Sequence, residues 1–517
     1  MAQHVSVARF KELFEAMIAS YRSKSKSLDL IGRRIGLAIS GGPDSMALGF
    51  LAGKLFGPQN VAAFTIDHGL QEHRVNETPE LTQERIKTEF GIDCDILRLD
   101  WNGVGSGSAI SIGKLMSESR DKRYEVLHNA CQVKGIPLLL TAHNQDDDIV
   151  TMLHRIAHMS GIEGIAGMRP ITAFPSPLCD QVKLGRPLLA VPKSELRQTC
   201  ILNNISWAED SSNSDLRFRR NAIFASFNDL IERDILERED IVGVLGDMKG
   251  HREHIYDGLK ALIDKSVILN EKMGEATLVF NWPHKTVPLW QLSILLKCLI
   301  QYVTVAAYPP KTSSFEEVAQ KLFNAYTLQA VRPRRNPFDF ARLDTMQSTT
   351  GNAMIYPLSK DDSVNRVKFE HLRTLRPIAN GPCVLITREP RVKKDRPNKV
   401  EAIGDSAIVW NDQFRIVSRK APIELSKLTV LPATASDIKE AIEVGKRVLG
   451  TNIRPLYEFV KTTAAMHYGA HPVIREISKD SSSPHIAFPT LGVEVPGPAK
   501  RYDFATHFLG LLPFDRD

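Results

Sequence analysis

The first part of the chain, up to about residue 225, predicts an α/β fold built on a doubly wound parallel sheet. Three observations predict it. Short apolar runs alternate with segments of helical periodicity. A glycine-containing loop joins the first apolar run to the first amphipathic segment after it. Polar residues stand just past the ends of the runs, at Ser40, Asp67 and His143, where sheets of this class bind ligands.

Leu37 to Ile39 reads as a short buried strand, and Met46 to Phe56 as a helix with Leu48, Leu51, Ala52 and Leu55 on one face. Between them lies Ser40-Gly41-Gly42-Pro43-Asp44-Ser45. Ser45 or Asp44 is expected to cap the helix. Gly41 and Gly42 let the backbone approach a ligand closely, and a helix N-terminus favours an anion. The loop is therefore a phosphate site or a tight turn with a good cap; its residues alone leave both open. It is not the Gly-Lys-Ser/Thr nucleotide loop, which occurs nowhere in the chain. Gly103-Val-Gly-Ser-Gly107 lacks dinucleotide spacing and reads as a flexible loop.

A second strand runs from Val61 to Ile66 and ends in Asp67-His68-Gly69-Leu70. A polar helix from Pro79 to Phe90 and a strand from Asp95 to Leu99 follow. Then come a helix bearing Glu118, Arg120, Arg123 and Tyr124, and a strand from Pro137 to Thr141. Asp146, Asp147 and Asp148 open the next helix. Acids in a first turn favour the helix dipole, but three in a row after His143 exceed what capping needs. A bound cation or amine would relieve their repulsion.

The chain has 517 residues, 43% hydrophobic and 24% charged, which is ample for two or three cores. Net charge is +6, permitting a polyanionic partner without demanding one. No apolar run is long enough to span a bilayer, and no membrane partner is expected. Six separated cysteines include no Cys-x-x-Cys pair, arguing against a zinc ribbon or a sulfur relay. Phe10, Phe14, Met17, Ile18 and Tyr21 form an apolar stripe with Arg9, Lys11 and Arg22 nearby. A mitochondrial transit peptide looks similar, but Glu12 and Glu15 favour the first helix of the domain.

Several blocks in order resemble the tRNA(Ile)-lysidine synthetases, a family of PP-loop ATPases. They are Ser40–Ser45 with Met46-Ala47-Leu48; Asp67-His68-Gly69-Leu70; and Glu118-x-Arg120-x-x-Arg123-Tyr124. Next come Ala142-His143-Asn144-x-Asp146-Asp147; Ser160-Gly161-x-x-Gly164; and Arg186-Pro187-Leu188-Leu189 with Lys193-Ser194-Glu195-Leu196. The last is Trp207-x-Glu209 through Asp215, with Arg220-Asn221. Two positions depart: Val150 stands where the family usually has Glu, and Phe224 where it usually has Arg.

The resemblance implies ATP and Mg²⁺ as cofactors and tRNA(Ile) and L-lysine as partners. ATP would meet Ser40, Gly41, Gly42, Pro43, Asp44, Ser45, Asp67 and His143, with Asp44 on the metal. Asp44, Arg120, Asp146 and Asp147 would be catalytic, the last two holding the lysine ammonium. Arg217, Arg219, Arg220 and Asn221 would contact RNA. Two rivals remain, a PP-loop tRNA thiolation enzyme and an inactive RNA-binding paralogue. A homodimer is compatible with the sequence. Mitochondria are the expected compartment, with cytoplasm the alternative.

Three domains are expected: a catalytic domain at 1–226, a helical tRNA-binding domain at 227–350, and a mixed α/β domain at 351–517. Asp229 to Gly250, Glu253 to Val267, Leu289 to Thr304 and Ser314 to Leu328 read as helical. Cys383 to Thr387, Ala407 to Trp410 and Phe414 to Val417 read as strands. The basic run from Arg388 to Arg396 is a solvated loop or a second RNA contact.

Overall fold

A computed structural model describes residues 3–22, 28–69, 78–101, 112–158, 160–174, 182–209, 219–271, 274–280, 282, 287–305 and 316–324, and from 353 onward the elements given below. Leu70, the Gly103–Gly107 loop, Arg217 and Arg391 lie outside the described residues.

The first strand, β1 (Ile35–Ala38), leads through the glycine loop into α2 (Pro43–Phe56), after an N-terminal helix α1 (Val7–Arg22). Then follow β2 (Val61–Asp67), α3 (Pro79–Phe90), β3 (Cys94–Arg98), α4 (Ile112–Val133), β4 (Leu138–Leu140) and α5 (Gln145–Ala157). The short α6 (Ile162–Ile165), β5 (Ile171–Ala173), β6 (Lys183–Gly185) and α7 (Lys193–Leu202) complete the sheet region. Six strands lie in the order β3-β2-β1-β4-β6-β5. All neighbouring pairs are parallel except β5 with β6. The order reverses between β1 and β4, so the loops after these two strands open into one crevice.

Alternation along β1 explains why both faces of the sheet are covered. Leu37 points into a core with Phe10, Phe14 and Met17 of α1, Leu48 and Leu51 of α2, and Leu196 and Cys200 of α7. The α1 stripe is thus the first helix of the domain, as its acids indicate. On the other face Phe64, Leu139 and Leu184 pack against Tyr124, Leu127 and Cys131 of α4. A Cβ at Gly36 would meet Leu139 Cδ1 at 2.9 Å, so the glycine leaves room for the Leu139 side chain of β4.

Helices α8 (Arg219–Glu232) and α9 (Arg238–Ser266) replace the expected break near 250 with one near 235. The chain divides into two compact units, 1–254 and 255–513. The expected boundary at 226 falls inside α8, because Phe227 is buried with Ile149 and Met152 of α5 and Leu245 of α9. Phe224, at the family's usual Arg position, packs against the same cluster, which accounts for its apolar character.

In the second unit β7 (Val267–Asn270), β8 (Glu275–Val279), β10 (Cys383–Arg388) and β9 (Ala353–Leu358) form one antiparallel sheet, in that order. The sheet spans the expected boundary at 350. Leu289–Thr304 is helical as the sequence predicts. Two further four-stranded sheets hold Val400–Ile403, Ala407–Trp410, Phe414–Ser418 and Phe504–Phe508, and Leu428–Pro432, Pro472–Glu476, Ile486–Phe488 and Val493–Val495. Ala435–Arg447 is helical. Among the described residues no helix is long and apolar enough to cross a membrane.

The third acid of α5 ties the first unit together. Asp148 is fully buried; its Oδ1 accepts from Met168 N at 2.6 Å, and its Oδ2 lies 2.6 Å from Lys249 Nζ on α9. Asp148→Ala leaves both partners without their acceptor. Since the Lys249 side chain is 33% exposed and can reach water, the expected loss is about 2–4 kcal/mol, read from urea unfolding at neutral pH.

Candidate functional site

The glycine loop differs from its expected capping. Gly42, not Ser45 or Asp44, is the N-cap of α2, and it makes no side-chain capping bond. The Ser45 hydroxyl instead donates to Gly42 O at 2.9 Å and accepts from Ser40 N at 3.2 Å. Pro43 takes the first helical turn with its fixed φ. The first-turn amides of α2 are therefore not covered by a side-chain cap, which suits an anion better than the expected cap would.

Other elements hold this loop from outside. Ala208 N donates to Gly41 O at 2.9 Å, and Cys200 Sγ lies 3.3 Å from Pro43 O. Gly41 has φ +86, and a Cβ there would sit 2.6 Å from Thr82 Oγ1 of α3. The glycine is thus required by the packing of α3 and by the left-handed backbone, before any ligand is considered.

Asp44, one residue into α2, has a carboxyl pushed up to about 6. Burial is the main cause; the charges of Asp147 and Asp146 add to it, and Lys193 and Arg197 oppose it. Its Oδ1 is buried and has no hydrogen-bond partner among the described residues. A cation would satisfy that oxygen and relieve the crowding, so the site fits Mg²⁺. Among the described residues no three His, Cys, Asp or Glu side chains group as a ligand set. A metal at Asp44 would take most of its ligands from phosphates and water.

Across the crevice, α5 begins with a capping box. Asn144 Oδ1 accepts from Asp147 N and Asp147 Oδ2 accepts from Asn144 N, both at 3.1 Å. Asp147 Oδ1 also pairs with Arg220 Nη2 of α8 at 2.8 Å. Asp146 is buried; its Oδ2 accepts from Lys193 N at 2.8 Å, and its Oδ1 pairs with Arg238 of α9. The two acids expected to hold an amine thus already meet arginines. Val150, the position lacking the family's usual Glu, is buried.

His143 follows β4, with Nδ1 2.8 Å from Thr141 Oγ1. Burial and the positive field of Arg186, Arg220, Arg123 and Arg120 hold its pKa well below the usual value, so the ring is neutral. Arg120 itself lies over the Tyr124 ring, 5.3 Å from its centroid, with Arg123 also against that ring at 5.4 Å. Burial and this concentration of guanidinium charge mark the rim after β4 as a place for an anion. Asp67 caps its own turn, accepting from Gly69 N at 2.9 Å, and lies 3.3 Å from Arg98 Nε.

The RNA candidates separate. Arg220 points to Asp147, whereas Arg219 Nη1 lies 3.1 Å from His158 Nε2 at the far end of α5, and Asn221 is half-buried. Trp207 packs at the edge of the first core, with its Nε1 donating to Glu209 Oε1 at 3.0 Å. Lys193, Arg186, Arg238, Lys249 and Thr82 are site neighbours that sequence reasoning did not single out. Lys193 and Arg186 stood inside quoted blocks; Arg238, Lys249 and Thr82 carried no local signal.

Residues 9–230 match the ATP_bind_3 family, a PP-loop domain. A tRNA(Ile)-lysidine synthase from Bradyrhizobium diazoefficiens is 36% identical over 36% of this chain and 48% of its own length. That of Anaplasma marginale is 34% identical over 38% of this chain and 40% of its own. Residues 9–230 are thus similar to a PP-loop domain, and this part of the chain is similar in sequence to tRNA(Ile)-lysidine synthases. The enzyme of that name from Ruegeria pomeroyi aligns further, at 28% identity over 56% of this chain and 65% of its own. The chain thus spans about half the length of the relatives it matches.

The Asp44 carboxyl gives a test that needs no substrate. Between its usual 3.8 and about 6, the folded chain holds a proton that the unfolded chain has released. That contribution is full below 3.8 and is lost as pH rises to about 6, leaving an ionised, crowded group at neutral pH. Asp44→Asn is expected to stabilise the ligand-free protein at pH 8 by up to about 3 kcal/mol, and by much less at pH 4. Thermal unfolding at the two pH values measures the difference.

Proposed function

We propose that this protein is a tRNA(Ile)-lysidine synthetase, joining L-lysine to C2 of the first anticodon cytidine at the expense of ATP. The observation that carries the reading is the meeting of the uncapped glycine loop and the acid-opened α5 at one switch point, with Asp44 under the charge of Asp146 and Asp147. One end of such a crevice takes polyphosphate and the other takes a cation.

The cytosine C2 oxygen is a poor leaving group. It would attack the α-phosphorus of ATP; the bond from that phosphorus to the bridging oxygen breaks, and pyrophosphate departs over the Ser40–Ser45 loop. Mg²⁺ at Asp44 would neutralise phosphate charge. The neutral ε-amine of lysine then forms the C2–N bond, the C2–O bond breaks, and AMP leaves. Freeing that amine from its proton near neutral pH costs about 4 kcal/mol, so a carboxylate must hold the ammonium and take the proton.

Asp147 is the better placed acid. It is 34% exposed where Asp146 is 9%, and its partner Arg220 is 46% exposed and able to leave. The ammonium would replace Arg220 on Asp147 as Arg220 turns to an RNA phosphate. Asp146, fixed by Lys193 N and Arg238, would act on the field of the site.

A thiolation enzyme finds little support. Burial pushes the Cys94, Cys131 and Cys200 thiols up to about 12, leaving them poor nucleophiles. The inactive-paralogue reading is favoured by the arginines already seated on Asp146 and Asp147. Pyrophosphate release and labelled lysine incorporation separate all three. The expected result is release that requires tRNA(Ile), with lysine entering the RNA. Release without lysine incorporation would remove the lysine assignment, and the absence of release would favour the inactive protein. Asp147→Asn is expected to leave adenylation within about threefold of wild type and to slow lysine transfer by about 10²-fold or more, so that adenylated RNA accumulates in single-turnover assays.

A further inference from the structure

The glycine loop carries no lysine of its own, and its acid, Asp44, would stand beside phosphate oxygens. Like charges this close need a cation between them. Lys193 is placed to be one. It is the first residue of α7, and its backbone N–H is fixed by Asp146 Oδ2 at 2.8 Å. Further along α7, Leu196 and Cys200 are buried with Met46 and Ala47 of α2, so α7 lies along the helix that follows the loop.

From that anchored backbone the side chain reaches toward Asp44, with Nζ 3.9 Å from Oδ2. This is an ionic neighbour beyond hydrogen-bond length, so Nζ can turn to a closer oxygen. The side chain is 44% exposed and thus reachable from solvent, whereas the Asp44 side chain is 22% exposed.

We propose that Lys193 is a phosphate-binding residue of the loop, gripping the departing pyrophosphoryl oxygens of the nucleotide. It would supply from a distant part of the chain the positive charge that Gly-Lys-Ser/Thr loops carry beside their glycines. The proposal rests on the reading of Ser40–Ser45 as the ATP site.

Substitution separates charge from scaffold, because the hydrogen bond to Asp146 uses the Lys193 backbone and survives any side chain except proline. The probe is inorganic pyrophosphate with Mg²⁺, titrated by calorimetry into the full chain without RNA. Lys193→Met is expected to weaken binding about ten- to a hundredfold, and Lys193→Arg to restore most of it. Unfolding temperatures without ligand should match wild type. In tRNA-dependent turnover the KM for ATP should rise in Lys193→Met while the KM for lysine stays constant. A folded Lys193→Met that binds pyrophosphate as wild type does, or that raises only the lysine KM, overturns the proposal and leaves the ATP site standing. Wild-type protein that neither binds pyrophosphate nor releases it from ATP overturns both.

Discussion

Three consecutive carboxylates at the start of one helix set the terms for the first compact unit. Asp146, Asp147 and Asp148 repel each other, and two of them are buried. Such charges persist only with cations or donors against them. The chain supplies these from three later helices and one loop: Lys193 N and Arg238 for Asp146, Arg220 for Asp147, and Lys249 with Met168 N of the loop before β5 for Asp148. Helices α7, α8 and α9 are thereby drawn onto α5. The apolar contacts of Phe227, Leu245, Ile149 and Met152 fill the space between α5, α8 and α9.

That arrangement divides labour among three residues that look alike in sequence. Asp148 is a structural anchor, fully buried and saturated. Asp146 joins α5 to α7 and α9. Asp147 keeps one oxygen toward an exposed arginine, and so keeps an exchangeable partner. The backbone supports the difference: Asp147 closes the capping box, which holds its Oδ2 on Asn144 N and leaves Oδ1 to Arg220.

The glycine loop faces the acids under a different constraint. Its shape is set by neighbours, through Thr82 against Gly41, Ala208 N on Gly41 O, and Cys200 beside Pro43. With Ser45 turned back on the loop, α2 presents amides rather than a side-chain cap. A loop held this way is preorganised, and an anion arriving there need not order it.

Local pattern determined much of this protein. The polar helix Pro79–Phe90 and the helix Leu289–Thr304 have the limits that local pattern predicts, and the alternation of runs predicts the parallel sheet. The blocks from Ser40 to Asn221 located both sides of the crevice, because a loop and a helix start are short-range features. Capping was misread at Ser45, since a serine in the first turn can bond forward or backward and only the fold chooses. The partners of the acids were out of reach for a stronger reason. Arg238 and Lys249 lie some 90 to 100 residues from the carboxylates they neutralise, and nothing in their own surroundings distinguishes them from solvated helix charges. Which cation meets which acid is decided by helix packing, and packing brings together side chains that the sequence keeps far apart.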